Sequence, residues 1–378
     1  MSDHLTARLT QLRRDLHRIP EVDFDLPETI AYVRAVLDPL AERMAARGQQ
    51  VRVFSPARSA VCALFDRGME TATAIRADMD ALPVSERTGV AFASTHAGMM
   101  HACGHDGHMA MVLALAELLE RRFDELGESV LLVFQPAEET TGGARLVCES
   151  GVLERLRVRR IFGFHLWPDL PRGVVASRAG GLLAASSETT VTFSGVASHI
   201  AKAEQGRDSL EAGCRFLARA YDRMARLRTE EPCVLKFGRM ASGEVRNQIS
   251  ARTVLEGSLR TLSLGMGERC RAEVTAIARQ CAEEAGCTVG VRFSEGYPPV
   301  VNDAGTYAQV RASLPYLQEL PEPLLIAEDF AWYQQWVPGV FLLLGTGTGI
   351  PLHADMFDFD EGILARGVET YLRLLGLA

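Results

Sequence analysis

Nowhere in this sequence do about 18 apolar residues run without interruption, which excludes a membrane-spanning helix on length. Dense basic runs are missing too. Lysine occurs only at positions 202 and 236 among 40 Lys and Arg residues, and the formal net charge is -8. This balance argues against a nucleic-acid partner, which needs a basic stripe. Eight scattered cysteines in a chain of this length make no disulfide framework. Cys62, Cys148, Cys214, Cys233, Cys270, Cys281 and Cys287 are read as small buried hydrophobes. The opening segment, MSDHLTARLTQLRRDLHRIP, has the charged periodicity of an amphipathic helix and lacks the apolar centre of a signal peptide. The expectation is a cytoplasmic protein. There is no internal repeat and no low-complexity segment.

What remains is an ordinary globular composition. With 378 residues, 47% of them hydrophobic, the chain can bury a large core and is expected to divide into two domains. Short β-rich runs at 61–65, 72–78, 130–135, 161–166 and 340–345 alternate with helical patterns at 5–17, 28–46, 108–123 and 361–375. That alternation predicts an α/β domain with a mostly parallel sheet flanked by helices. From about residue 186 the texture changes to β-α-β-β-α-β, the ferredoxin-like pattern. The expected organisation is therefore one domain of 1–185 and 298–378, interrupted by an inserted domain of 186–297.

Polar residues cluster where such a sheet binds ligands, beyond the carboxyl ends of its strands. Asp78 and Asp80 follow one predicted strand, Glu138 and Glu139 another, His165 ends a third, and His353 follows a fourth across GTGTGIPLHAD. The stretch HACGHDGH adds Cys103 and His105 in a loop ahead of a helix, with glycines at 104 and 107 to let the chain turn tightly. A thiolate, imidazoles and a carboxylate together suit a transition metal such as Zn²⁺, Co²⁺, Mn²⁺ or Ni²⁺. A lone histidine near a helix start is more often structural, and His101 and His108 are read so. In FQPAEETTGG, two adjacent carboxylates leave a buried strand, which is costly unless a cation or a proton divides their roles. One could bind metal while the other takes a proton from water.

The motifs LRRDLHRIPE, IRADMDALP, MHACGHDGH, VFQPAEE, GFHLWPDLPRG, EGSLRT, AEDFAWY and PLHADMF, in this order, resemble those of the M20 metallopeptidase family. The resemblance is to its amidohydrolase branch, which includes hippurate hydrolases, N-acetyldiaminopimelate deacetylases and auxin-conjugate hydrolases. It implies a catalytic domain of the zinc-peptidase type with an inserted lid and dimerisation domain, working as a homodimer. It also implies two divalent metal ions held by Cys103, His105, Glu139, His165 and His353, with Glu138 as general base. Asp78, Asp80 and Glu328 would orient the ligands. His199 would stabilise the oxyanion at the partner subunit's site, and Asn247 and Arg260 would hold the substrate carboxylate. The implied reaction is hydrolysis of an N-acyl amino acid by a metal-bridging water. The alternative is a metallo-exopeptidase cutting dipeptides or C-terminal residues. A cysteine hydrolase using Cys103 would leave the acidic pair and His353 without a role, and the intact Glu138 argues against a non-catalytic relative.

Two departures from the family pattern concern the substrate. SHIAKAEQGRDS stands where relatives carry GHAAxPH, and IAEDF, with Ala327, stands where they carry GSEDF. AGGLLAASSE leans toward the N-acetyldiaminopimelate deacetylases.

Overall fold

The computed structural model describes residues 3–140 and 142–377, and they divide into two compact units. The larger comprises residues up to Gly180, Val301–Pro321 and the chain from Asp329 onward; the smaller comprises Gly181–Val300 and Glu322–Glu328.

The larger unit is built on one mixed sheet. Helices α1 (Asp3–His17) and α2 (Pro27–Ala46) precede strands β1 (Gln50–Phe54), β2 (Val61–Asp66) and β3 (Ala72–Asp78). Helix α3 (His105–Arg121) then leads to β4 (Ser129–Gln135) and β5 (Val158–Trp167). The strand order is β1-β2-β4-β3-β5, continued by the strands Gly339–Gly345, Val175–Ser177 and Gln318–Glu319. The central neighbours β4, β3, β5 and Gly339–Gly345 are parallel, whereas β1 and β2 join antiparallel at one flank. The expected α/β architecture is found. Residues of β3, β4 and Gly339–Gly345 are all buried, as parallel strands covered on both faces must be, and their near-continuous apolar sequences follow from that. Strand β1 escaped the sequence reading because a five-residue edge strand with one buried position carries little periodic signal.

Helix α3 runs through the centre of this unit, buried almost all round, and its Met, Ala and Leu residues are strong helix formers. It starts at His105, not at 108, so His105 and His108 share one helix face and are not in a preceding loop. Gly104 supplies the turn, with φ 84°, and a Cβ there would meet Leu166 Cδ1 at 2.8 Å. Gly107 serves packing instead: it is helical, and a Cβ would sit 2.8 Å from Phe359 Cζ.

Helix α1 buries Leu9, Leu12 and Leu16 and, on the same side, Arg13 and His17. Asp106 in the first turn of α3 takes both: Oδ2 accepts from Arg13 Nε at 2.8 Å and lies 2.7 Å from His17 Nδ1. His17 Nε2 lies 3.3 Å from Glu86. Burial opposes charge on His17, but Asp106 and Glu86 outweigh it and hold the imidazole up at about 9. A folded-state value above the ordinary 6.5 contributes stability that is complete below pH 6.5 and vanishes as pH rises through about 9. The shift corresponds to roughly 3 kcal/mol. Urea unfolding at pH 6 and pH 9.5 should therefore show the His17→Gln variant losing less stability on the alkaline side than the parent. Parallel pH profiles for the two proteins would refute the assignment.

The smaller unit has the expected β-α-β-β-α-β order. Its sheet runs Thr288–Phe293, Ala185–Ser194, Arg252–Thr261 and Cys233–Ser242, all antiparallel. Helices Ser209–Leu227 and Leu264–Glu284 pack with Val191, Phe193, Leu255 and Leu259 in a separate core. Burial alternates along Ala185–Ser194, the signature of a sheet covered on one face. Of the seven cysteines expected to be buried, Cys214 is exposed and Cys287 half-buried. Cys214 lies on the outer face of the Ser209–Leu227 helix, where a small residue needs no apolar partner. No helix among the described residues is long and apolar enough to cross a membrane.

Candidate metal centre

Because β3, β4, β5 and Gly339–Gly345 are parallel, their carboxyl ends share one rim, and the polar residues that follow them meet there. Asp78 closes β3, and His165 lies two residues before the end of β5. Beyond β4 the chain turns at Ala137, whose φ of 57° is unusual for a residue with a side chain, and presents Glu138 and Glu139. Asp80 fixes that turn: its two oxygens accept the backbone N–H groups of Glu138 at 2.9 Å and Glu139 at 3.0 Å. His353 also has a left-handed backbone, φ 67°, and its N–H donates to Ala102 O, tying its loop to the one bearing Cys103. Two strained positions beside the same cluster are typical of a site held in place by its surroundings.

Cys103 Sγ lies 3.3 Å from His165 Nε2, and Glu139 Oε1 lies 3.3 Å from His353 Nε2 and 3.8 Å from His105 Nε2. Donor atoms fall within 4.8 Å of one another in the sets Cys103, His105, His165 and Cys103, Glu139, His353, which share the sulfur. A further set joins His105 to Glu138 and Glu139. The tautomers are arranged for this. His105 Nδ1 faces Asp80 O at 2.8 Å and His165 Nδ1 faces Leu166 O at 2.6 Å, so both rings direct Nε2 inward.

Several features fit these residues to cations. His105 Nε2 and Glu139 Oε1 are buried without a hydrogen-bond partner, a cost of about 1–3 kcal/mol each if nothing meets them. Burial, with Glu139 and Glu138 nearby, pushes the Cys103 thiol well up, so only a bound cation makes it a thiolate. Burial would neutralise His105, yet Asp78, Asp80 and Glu139 hold it at about 10. Glu139, though buried, is kept at about 2 by His353 and His105. Burial leaves His165 neutral, down at about 3. The sulfur, nitrogen and oxygen donors suit a transition metal better than Mg²⁺ or Ca²⁺.

Around the cluster runs a buried polar chain. Arg76 donates to Asp78 at 2.6 Å, to Asp329 at 2.7 Å and to Gln135 at 2.8 Å. Asp329 also accepts from Ala144 N and Gln135. Asp78 lies well below the usual carboxylate range because Arg76, His105 and His108 together overcome its burial. Of the acids in AEDF, Asp329 belongs to this network, and Glu328, singled out in the sequence, is buried next to it in the chain. Arg76, Gln135 and Asp329 carried no sequence signal, since nothing local shows that residues 253 apart will meet. His101 is buried near His17 with neither ring nitrogen hydrogen-bonded, and burial takes it down to about 3. It is not among the grouped donors.

In the smaller unit, His199 and Asn247 are neighbours. His199 bridges Gln248, and Ile200 N donates to Asn247 O at 3.0 Å. His199 Nδ1 accepts from Ala201 N. Arg260 projects from Arg252–Thr261 and bonds Ser258 beside Glu188.

With this geometry, residues 74–376 match the model of peptidase family M20/M25/M40. The chain belongs to that family. Among curated M20 relatives, an N-acetyldiaminopimelate deacetylase of Streptococcus uberis is 32% identical over 95% of this chain and 96% of its own length. One from Oceanobacillus iheyensis is 30% identical over 98% and 99%. A Bacillus subtilis crystal structure, described as a dinuclear metal-binding peptidase of family M20, superposes with a TM-score of 0.84. It is 31% identical and covers 99% of this chain and 98% of its own.

Proposed function

We infer that this M20 protein is a metal-dependent amidohydrolase that cleaves the amide of N-acyl amino acids. What carries the reading is the convergence of Cys103, His105, Glu139, His165 and His353 beside Glu138 at one sheet rim. These five residues would hold two divalent ions, of Zn, Mn, Co or Ni type. Ions bound there supply Lewis acidity toward the acyl carbonyl and toward water.

This chain's residues do the rest. Glu138, buried and anchored through its backbone by Asp80, takes a proton from the attacking water and delivers it to the leaving amine. The Asp80 backbone carbonyl keeps His105 oriented through Nδ1, and the Asp78 carboxylate adds negative charge near the ring. His199 is assigned to the oxyanion, Asn247 and Arg260 to the substrate carboxylate, and Glu328 to orienting the ligands; family resemblance supports these roles. In the same reading, 1–185 and 298–378 form the catalytic domain and 186–297 the lid. A homodimer is proposed through the lid, whose edge strand Cys233–Ser242 is exposed along its second half and offers unpaired backbone. A cytoplasmic location is supported by the absence of any disulfide among the described residues.

Full-length similarity to the two deacetylases favours N-acetyldiaminopimelate as the first substrate to try. Turnover of N-acetyl and N-benzoyl amino acids should be compared with dipeptides, with Mn²⁺, Co²⁺, Zn²⁺ and Ni²⁺ supplied in turn. The acylated amino acids are expected to react and the dipeptides to lag. Faster cleavage of dipeptides than of every acyl amino acid would replace this reading with an exopeptidase.

A further inference from the structure

His108 sits one helical turn beyond His105, is buried, and uses both ring nitrogens. Nε2 accepts the backbone N–H of Leu166 at 2.9 Å. A nitrogen that accepts an N–H carries no proton, so Nδ1 bears the hydrogen and donates to Asp78 Oδ1 at 2.6 Å. One neutral imidazole thus ties three elements together: α3, which carries His105; β3, which ends in Asp78; and β5, which carries His165. Leu166 is engaged twice, because its carbonyl accepts from His165 Nδ1 at 2.6 Å. The N–H that His108 holds and the carbonyl that fixes the His165 tautomer flank the same residue. Moving the Leu166 backbone therefore rotates the imidazole whose Nε2 stands 3.3 Å from Cys103 Sγ.

We propose that His108 is a positioning residue for the half of the metal centre that contains His165, acting through the Leu166 backbone. This rests on the metal-pair reading above. The two interactions of His108 can be separated by substitution. In His108→Asn the side-chain amide can replace Nδ1–H toward Asp78 but cannot reach Leu166. In His108→Gln the longer side chain brings a carbonyl oxygen to Leu166 N–H and gives up the donor to Asp78.

The test is titration of metal-stripped protein with Mn²⁺ against a fluorescent chelator, with the melting temperature of each metal-free protein recorded. The parent should bind two ions per chain. His108→Asn should weaken one of the two by about 10- to 100-fold and leave the other unchanged, the range usual for loss of a group that orients a ligand. His108→Gln should keep both. The proposal is overturned if His108→Asn titrates like the parent, if both variants lose the same affinity, or if both sites weaken in step with a lowered metal-free melting temperature. A parent that binds no Mn²⁺, Zn²⁺ or Co²⁺ would instead overturn the metal-pair reading itself.

Discussion

Glu138→Gln should lower turnover by about 10²- to 10⁴-fold, the range of general acid–base catalysis, while the protein still carries two metal ions per chain. The substitution is nearly isosteric, and the backbone N–H that Asp80 holds is untouched. Loss of a counter-charge near His105 is small beside the charges left on Asp78, Asp80 and Glu139. What disappears is the ability to accept a proton from water and return it to the amine. Steady-state rates on the best acyl amino acid, read together with metal analysis of the same samples, separate the two effects. Retained turnover would show that another group is the base, and simultaneous loss of metal would move Glu138 among the ligands.

The parts legible in the sequence were those encoded locally. Strands β2, β3 and β4 were placed within a residue or so because buried parallel strands are short apolar runs bounded by turns. The rim was legible for the same reason, since each strand's last residues named what lies beyond it. The helix start at His105 was missed because a glycine in the left-handed region caps it, in place of a side chain that reads as a cap. The buried chain Asp329–Arg76–Asp78–His108 was invisible for a different reason. Asp78 stood out at the end of its strand, but Arg76 and Asp329 look ordinary in their own segments, and a buried arginine is identified only by partners from β4 and from residue 329. The structure also gives His108 two tightly directed hydrogen bonds where sequence spacing offered only a structural histidine.

Stripping the metal should abolish activity, and its return should restore it, with a measurable release of protons. Without cations the rim gathers Asp78, Asp80 and Glu139 around His105, which responds by holding its proton up to about 10, while Cys103 stays a thiol. Coordination requires neutral imidazole and thiolate. Loading the stripped protein at pH 7 in dilute buffer should therefore release protons, His105 and Cys103 among their sources, visible with an indicator dye. His165, already neutral, contributes none. Replacing Cys103 with Ser should reduce the release by about one proton, because a hydroxyl has no comparable proton to give up to a metal of this class. The same measurement separates metal from thiol chemistry. A nucleophilic cysteine must be reachable and ionised, whereas Cys103 is buried and stays a thiol without metal, so alkylating reagents should leave the loaded enzyme active. Rapid inactivation of the loaded enzyme by alkylation would favour thiol chemistry, and loading without proton release would remove Cys103 and His105 from the ligand set.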